Sequence, residues 1–154
     1  MGPSFSPYLH FHGNAAEAMA TYGAIFGGSP DIVTFGQFGQ ADPAIAGQVM
    51  HSSLRAGPGL LIMASDTPPE TGAGYDMAGN TSVAVIYDGS DPDDDAALTG
   101  WWDALSDGAT IIAPLAETPW GGKFGMLIDR FGVRWMLDVA AVDTGVDTGA
   151  GSPG

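Results

Sequence analysis

Cysteine is absent from the 154 residues of this chain, which excludes disulfide stabilisation, thiol catalysis and cysteine-ligated zinc together. Basic residues are scarce: 4 Lys and Arg stand against 18 Asp and Glu, a formal net charge of −14. A surface of that sign repels phosphates, so nucleic acid and anionic membrane are poor partners, whereas cations are attracted. The same charge also serves simply to keep a protein soluble. Long apolar runs are missing as well. No stretch approaches the roughly 18 residues of a membrane span, and the N-terminal segment lacks the basic and then apolar regions of a secretory signal. A soluble cytoplasmic protein is the expectation.

What is present suffices for one domain, with 45% hydrophobic residues to build its core. Ser4 to Phe11 reads as an extended segment. Ala15 to Phe26 places Ala15, Met19, Tyr22 and Phe26 at helical spacing, with Asn14 and Glu17 as a capping-box pattern and Gly27-Gly28 as the stop. Ile32 to Phe38 reads as a strand and Gly36 to Gly47 as a mobile loop. Gln48 to Arg55 and Leu60 to Ser65 form a hairpin around the turn residues Gly57-Pro58-Gly59. After a linker at 67–79 the plan repeats. Thr81 to Tyr87 is a strand, about Asp93 to Ser106 a helix, and Thr110 to Ala116 a strand. A second hairpin pairs Gly125 to Asp129 with Val133 to Val139. Gly59 to Met63 parallels Gly132 to Met136. The fold class is therefore α+β: two tandem βαβββ modules, about 4–66 and 80–140, in a cupped, mostly antiparallel sheet with helices outside. A ferredoxin-like sandwich would give a similar string of elements. Residues 141–154, acidic and Gly-rich, read as a disordered tail.

Several segments carry a family likeness. They are Pro7 to Phe11, Gly13-Asn14-Ala15, Glu17-Ala18-Met19, Tyr22, Phe26-Gly27-Gly28, Val49-Met50-His51 and Met63-Ala64-Ser65-Asp66 in the first half. Pro114-Leu115, Thr118, Trp120-Gly121, Phe124-Gly125 and above all Asp129 to Met136 follow in the second. As a set they resemble the PhnB-like branch of the vicinal-oxygen-chelate (glyoxalase, bleomycin-resistance and dioxygenase) superfamily, over nearly all of Pro7 to Val139. The resemblance implies paired βαβββ modules around a cavity, commonly in a homodimer. It also implies a divalent metal held by His, Gln or Glu from the first and last strands of each module, acting as a Lewis acid. Some members of the branch bear the name 3-demethylubiquinone methyltransferase, but this sequence has no glycine-rich nucleotide loop, and nothing in it supports methyl transfer.

The residues depart from the family at the metal. The last-strand positions fall on Met63 and Met136, and the first-strand positions on Ser6 or Pro7 and near Thr81. Thioethers are soft, weak donors for such ions, so no metal and no other cofactor is expected. Strand alternation puts Leu9 and Phe11 on one face and Tyr8, His10 and His12 on the other. Three readings stand for His10, His12 and His51: a non-standard metal site, a pocket-lining His10 or His51 that donates a hydrogen bond or proton, or structural histidines with the rest facing solvent. The expected ligand-binding set is Tyr8, His10, His51, Met63, Ser65, Trp120 and Met136, lining an apolar, aromatic cavity for a small organic molecule, cationic or aromatic. Two other readings stay open: a lyase or dioxygenase using a non-standard His site, and a protein that sequesters a cationic antibiotic. Asp93-Asp94-Asp95 complements a helix dipole, Asp66 reads as a turn cap, and Trp101 and Trp102 as packing.

Overall fold

A computed structural model describes residues 3–57, 59–67, 81–87, 92–119 and 121–139, the side chains of Tyr87, Pro92 and Asp94 excepted. The first module runs β1 (Tyr8–Phe11), α1 (Ala15–Phe26), β2 (Asp31–Thr34), a 3₁₀ turn (Gly36–Phe38), α2 (Pro43–Ala46), β3 (Val49–Gly57) and β4 (Leu60–Asp66). The second runs β5 (Val83–Tyr87), α3 (Pro92–Leu105), β6 (Thr110–Glu117), β7 (Lys123–Ile128) and β8 (Arg134–Val139). Each module forms a four-stranded sheet of the same topology, β1-β4-β3-β2 and β5-β8-β7-β6. In both, the first strand joins the last in parallel and the other pairs are antiparallel. The α+β architecture of two βαβββ modules is the one expected. Among the described residues, no strand pairing joins the two sheets into one.

Apolar spacing explains the helices. In α1 the residues at Ala15, Ala18, Met19, Tyr22 and Phe26 are buried, and in α3 those at Leu98, Trp102 and Leu105. Both helices contribute to a single core that also takes in Phe11, Leu54, Leu127, Trp135 and Leu137. Gly125 lets α3 fit: a Cβ there would stand 2.7 Å from the Trp102 ring and 2.9 Å from the Leu115 Cα. The tryptophan lies in the space that the missing side chain leaves.

Three local expectations are corrected. Asn14 stands at the helix start, but its side chain makes no capping hydrogen bond. The cap comes instead from β4, where Asp66 Oδ1 accepts from Gly13 N at 2.8 Å and Ala15 N at 2.9 Å, while Oδ2 accepts from Val49 N at 2.9 Å. The strand expected to reach Phe38 ends at Thr34, and the expected loop from Gly36 to Gly47 contains the 3₁₀ turn and α2. There Gly36 approaches the Ala46 carbonyl so closely that a Cβ would sit 2.9 Å from it. Asp42 caps α2 by accepting from Ala44 N at 2.9 Å. Most of the expected linker, together with the expected tail, lies outside the described residues. Of the linker, Thr67 is buried and donates its amide to the Phe11 carbonyl at 2.7 Å, which extends the tie between β1 and β4.

Candidate functional site

The two modules pack through α1 against α3 and β8, and β1 and β5 stand on either side of a gap. Between them lies a cleft of about 540 Å³, walled by Phe5 to His10, Thr81 to Ala84 and Gly132 to Arg134. Its first wall follows from strand alternation. Phe11 faces the helix side and is buried, whereas Tyr8 and His10 stand on the opposite face. The registers Tyr8↔Met63, His10↔Ser65 and Ser53↔Met63 carry that face across the sheet. It also takes in His51, whose Nδ1 lies 3.0 Å from the Tyr8 hydroxyl. The Tyr8 ring stands between two imidazoles, with centroids 5.1 Å from His10 and 5.7 Å from His51. A phenol bonded to an imidazole can hand a hydrogen bond or a proton to an adjoining ligand atom.

The second wall is held by a buried carboxylate. Asp129 Oδ1 accepts from Phe131 N at 2.9 Å and Val133 N at 3.0 Å, fixing the turn into β8. Its Oδ2 accepts from the Tyr22 hydroxyl at 2.6 Å and the Trp135 indole at 2.8 Å. Tyr22 belongs to the first module and Asp129 to the second, so this carboxylate clamps the two together beside the cleft. Burial, and after it the Asp129 charge, push the Tyr22 phenol far above its ordinary range. Phe26 completes the contact between modules, its ring 4.9 Å from Trp101 and 5.3 Å from Trp135.

Of the seven residues expected to bind ligand, Tyr8 and His10 stand in the cleft wall, and His51 reaches it through Tyr8. Ser65, buried, and Met63 continue the same face of the sheet, and Met136 takes the corresponding place beside Ala84 of β5. Trp120 lies outside the described residues. Sequence reasoning missed Arg134, which lines the cleft. The alternation that put Met136 on the inner face also puts Arg134 there, and that signal was available.

The residues at the family's metal positions do not suit a divalent ion. Ser6, Pro7 and Thr81 line the cleft, and Met63 and Met136 lie on the neighbouring strands. Hydroxyls and thioethers with no carboxylate or imidazole among them are a poor donor set. Among the described residues, no three of His, Cys, Asp and Glu come together as metal ligands, so His10, His12 and His51 do not form such a site. Nor is any described helix long and apolar enough to cross a membrane.

Comparison with known proteins agrees with this architecture. The family model described as 3-demethylubiquinone-9 3-methyltransferase matches residues 3–138. Protein YjdN of Escherichia coli (strain K12) is 29% identical over 150 residues, covering 87% of this chain and 93% of that protein. The crystal structure of protein PA1353 from Pseudomonas aeruginosa superposes with a TM-score of 0.77 at 30% identity, covering 91% of this chain and 99% of that one. The PhnB protein from Bacillus cereus gives a TM-score of 0.68 at 25% identity, covering 90% and 100%. The chain belongs to the PhnB-like family described as 3-demethylubiquinone-9 3-methyltransferase, within the vicinal-oxygen-chelate fold.

Proposed function

We propose that this protein binds a small organic molecule in the cleft between its modules, without the metal usual in its superfamily. The observation that carries the reading is the cleft itself. Its volume of about 540 Å³ falls inside the range of roughly 300–1,000 Å³ that small-molecule sites occupy. Its walls combine apolar and aromatic side chains with a few polar groups, among them Tyr8, His10, Ser82 and Arg134, as such sites do. Methyl transfer draws no support from these residues. The reading includes a homodimer, because Ile111 and Ile112 expose 42% and 49% of their surfaces on the edge strand β6, apolar area that a second copy would cover.

The test is a fragment screen on the labelled full chain by NMR, beside metal analysis and native mass spectrometry of the same sample. Fragments should shift the amides of Tyr8, Val83 and Val133. Ala84→Trp, which fills the cleft from an exposed strand position, should abolish those shifts. Metal below a tenth of an equivalent and a dimer mass complete the expected result. Near-stoichiometric metal that survives dialysis would overturn the metal-free reading, and fragments that bind Ala84→Trp unchanged would overturn the cleft.

A further inference from the structure

We infer that the cleft selects organic monoanions, a planar carboxylate on an apolar body, with Arg134 as the anchoring cation. This inference rests on the reading of the cleft as a small-molecule site and adds the charge of what enters it.

The argument starts from how the four basic residues are used. Lys123 is ion-paired with Asp95. Arg130 lies 4.0 Å from Glu17 and 3.9 Å from Asp107, over the Phe131 ring and within 3.2 Å of the Thr21 hydroxyl. Arg55 is exposed on β3, away from the cleft wall. Arg134 alone of the four lines the cleft, half-buried. Its Nε is enclosed and meets no hydrogen-bond acceptor among the described residues, nor is it in any ion pair found there. A buried donor left unmatched is costly, the more so on a charged group, so the site favours a ligand that brings an acceptor to this guanidinium.

The surroundings say which acceptor. The chain has 18 acidic residues, yet among the described residues no carboxylate contributes to the cleft wall, and Arg134 is the one formal charge found there. A guanidinium presents its N–H donors in planar pairs, a fork that matches the two oxygens of a carboxylate. Phe5, Leu9, Val83 and Val133 offer apolar surface to the body of the ligand. Tyr8 adds a hydroxyl on the opposite wall. The overall charge of −14 opposes every further negative charge, which places phosphate esters and dicarboxylates at a disadvantage. The same net charge suggests a cationic ligand when taken alone; it sets the distant field, whereas the cleft sets the contact.

Three probes of similar shape test this on the full chain: phenylacetate, phenylacetamide and benzyltrimethylammonium, titrated while the amides of Val83, Ala84 and Val133 are followed by NMR. Phenylacetate should bind at least about tenfold more tightly than the amide, the difference a charge-assisted hydrogen bond makes, and the cation should not bind. Arg134→Gln should bring the acid down to the level of the amide and leave the amide unchanged, with an otherwise native amide spectrum. Equal binding of acid and amide, or tightest binding of the cation, would overturn the selection of anions while leaving the cleft as the site. Silence of these amides to all three probes would overturn both readings. Should Arg134→Gln fail to fold, the acid-to-amide ratio in the unmodified protein decides, a ratio near one being fatal.

Discussion

Replacing Tyr22 by Phe removes one oxygen from the centre of the molecule, and the surrounding geometry sets the cost. The ring stays, with its edge contacts to Trp135 and Phe131 at 5.3 and 5.9 Å, so packing is retained. What goes is a 2.6 Å hydrogen bond to the Asp129 carboxylate. A bond to a charged acceptor contributes about 1.5–3 kcal/mol, and Tyr22→Phe should cost that much. Asp129→Asn should cost more, about 3–5 kcal/mol. Its amide can still accept from the amides of Phe131 and Val133, but it then turns an NH₂ toward the Trp135 indole, which can only donate. That leaves the indole without an acceptor and takes the charge from the bonds that remain. Both changes break the same bond, so the double variant should fall short of the sum by about 1–2 kcal/mol. Urea unfolding followed by tryptophan fluorescence reads all three values. Single variants within about 0.5 kcal/mol of the parent, or a strictly additive pair, would refute the clamp.

Two other outcomes follow from the buried hydroxyl and carboxylates. Above pH 10, the unfolded chain releases the Tyr22 proton and the folded protein keeps it, since its phenol is held far above the ordinary 10.0. The contribution is therefore complete below pH 10 and declines by about 1.4 kcal/mol per pH unit above it. The stability gap between the parent and Tyr22→Phe should narrow from pH 10 to 11.5 in urea titrations, and parallel curves would contradict the assignment. Asp66→Asn should cost about 2 kcal/mol, by weakening one or more of three charge-assisted bonds to main-chain amides. Hydrogen exchange should accelerate at Gly13, Ala15 and Val49, the three amides it accepts from; unchanged exchange there would show that Asp66 is not the anchor.

Much of this was legible because local patterns report on faces and ends. The spacing of Ala15, Met19, Tyr22 and Phe26 marked a helix and its buried side, and α1 spans the residues expected, Ala15–Phe26. Alternation in β1 separated Phe11 from Tyr8 and His10, and the paired hairpins revealed the two modules. The misses share a different origin. Asn14 and Glu17 looked like a cap because they lie three residues apart at the helix start, but Asp66, 51 positions beyond Ala15, displaced them. Tyr22 and Asp129 are 107 residues apart, and no periodicity announces such a pair. Likewise, the pattern around Arg134 gave its face but not the β1 edge that stands opposite. A strand's sequence encodes which side is inward; what lies across the gap is decided by the other module.

The anchoring of the cleft bears on how it would recognise a ligand. Each wall is tied back by a buried carboxylate that meets several N–H or O–H donors. Asp66 fixes the chain leaving β1 through Gly13 and Ala15, and Asp129 fixes the turn that delivers Val133 and Arg134. The Tyr22 hydroxyl then links the second anchor to the helix that follows β1. Walls held in this way are set before a ligand arrives, so little ordering cost is left for binding to overcome. Selection then falls to the shape of the gap and to the few polar groups within it. In a chain so rich in acid, keeping carboxylates out of the described cleft wall while burying two as structural acceptors leaves Arg134 to decide the charge of what enters. On the proposed reading the module boundary is both the mechanical joint of the protein and its recognition surface, and weakening the joint at Tyr22 should loosen ligand binding along with stability.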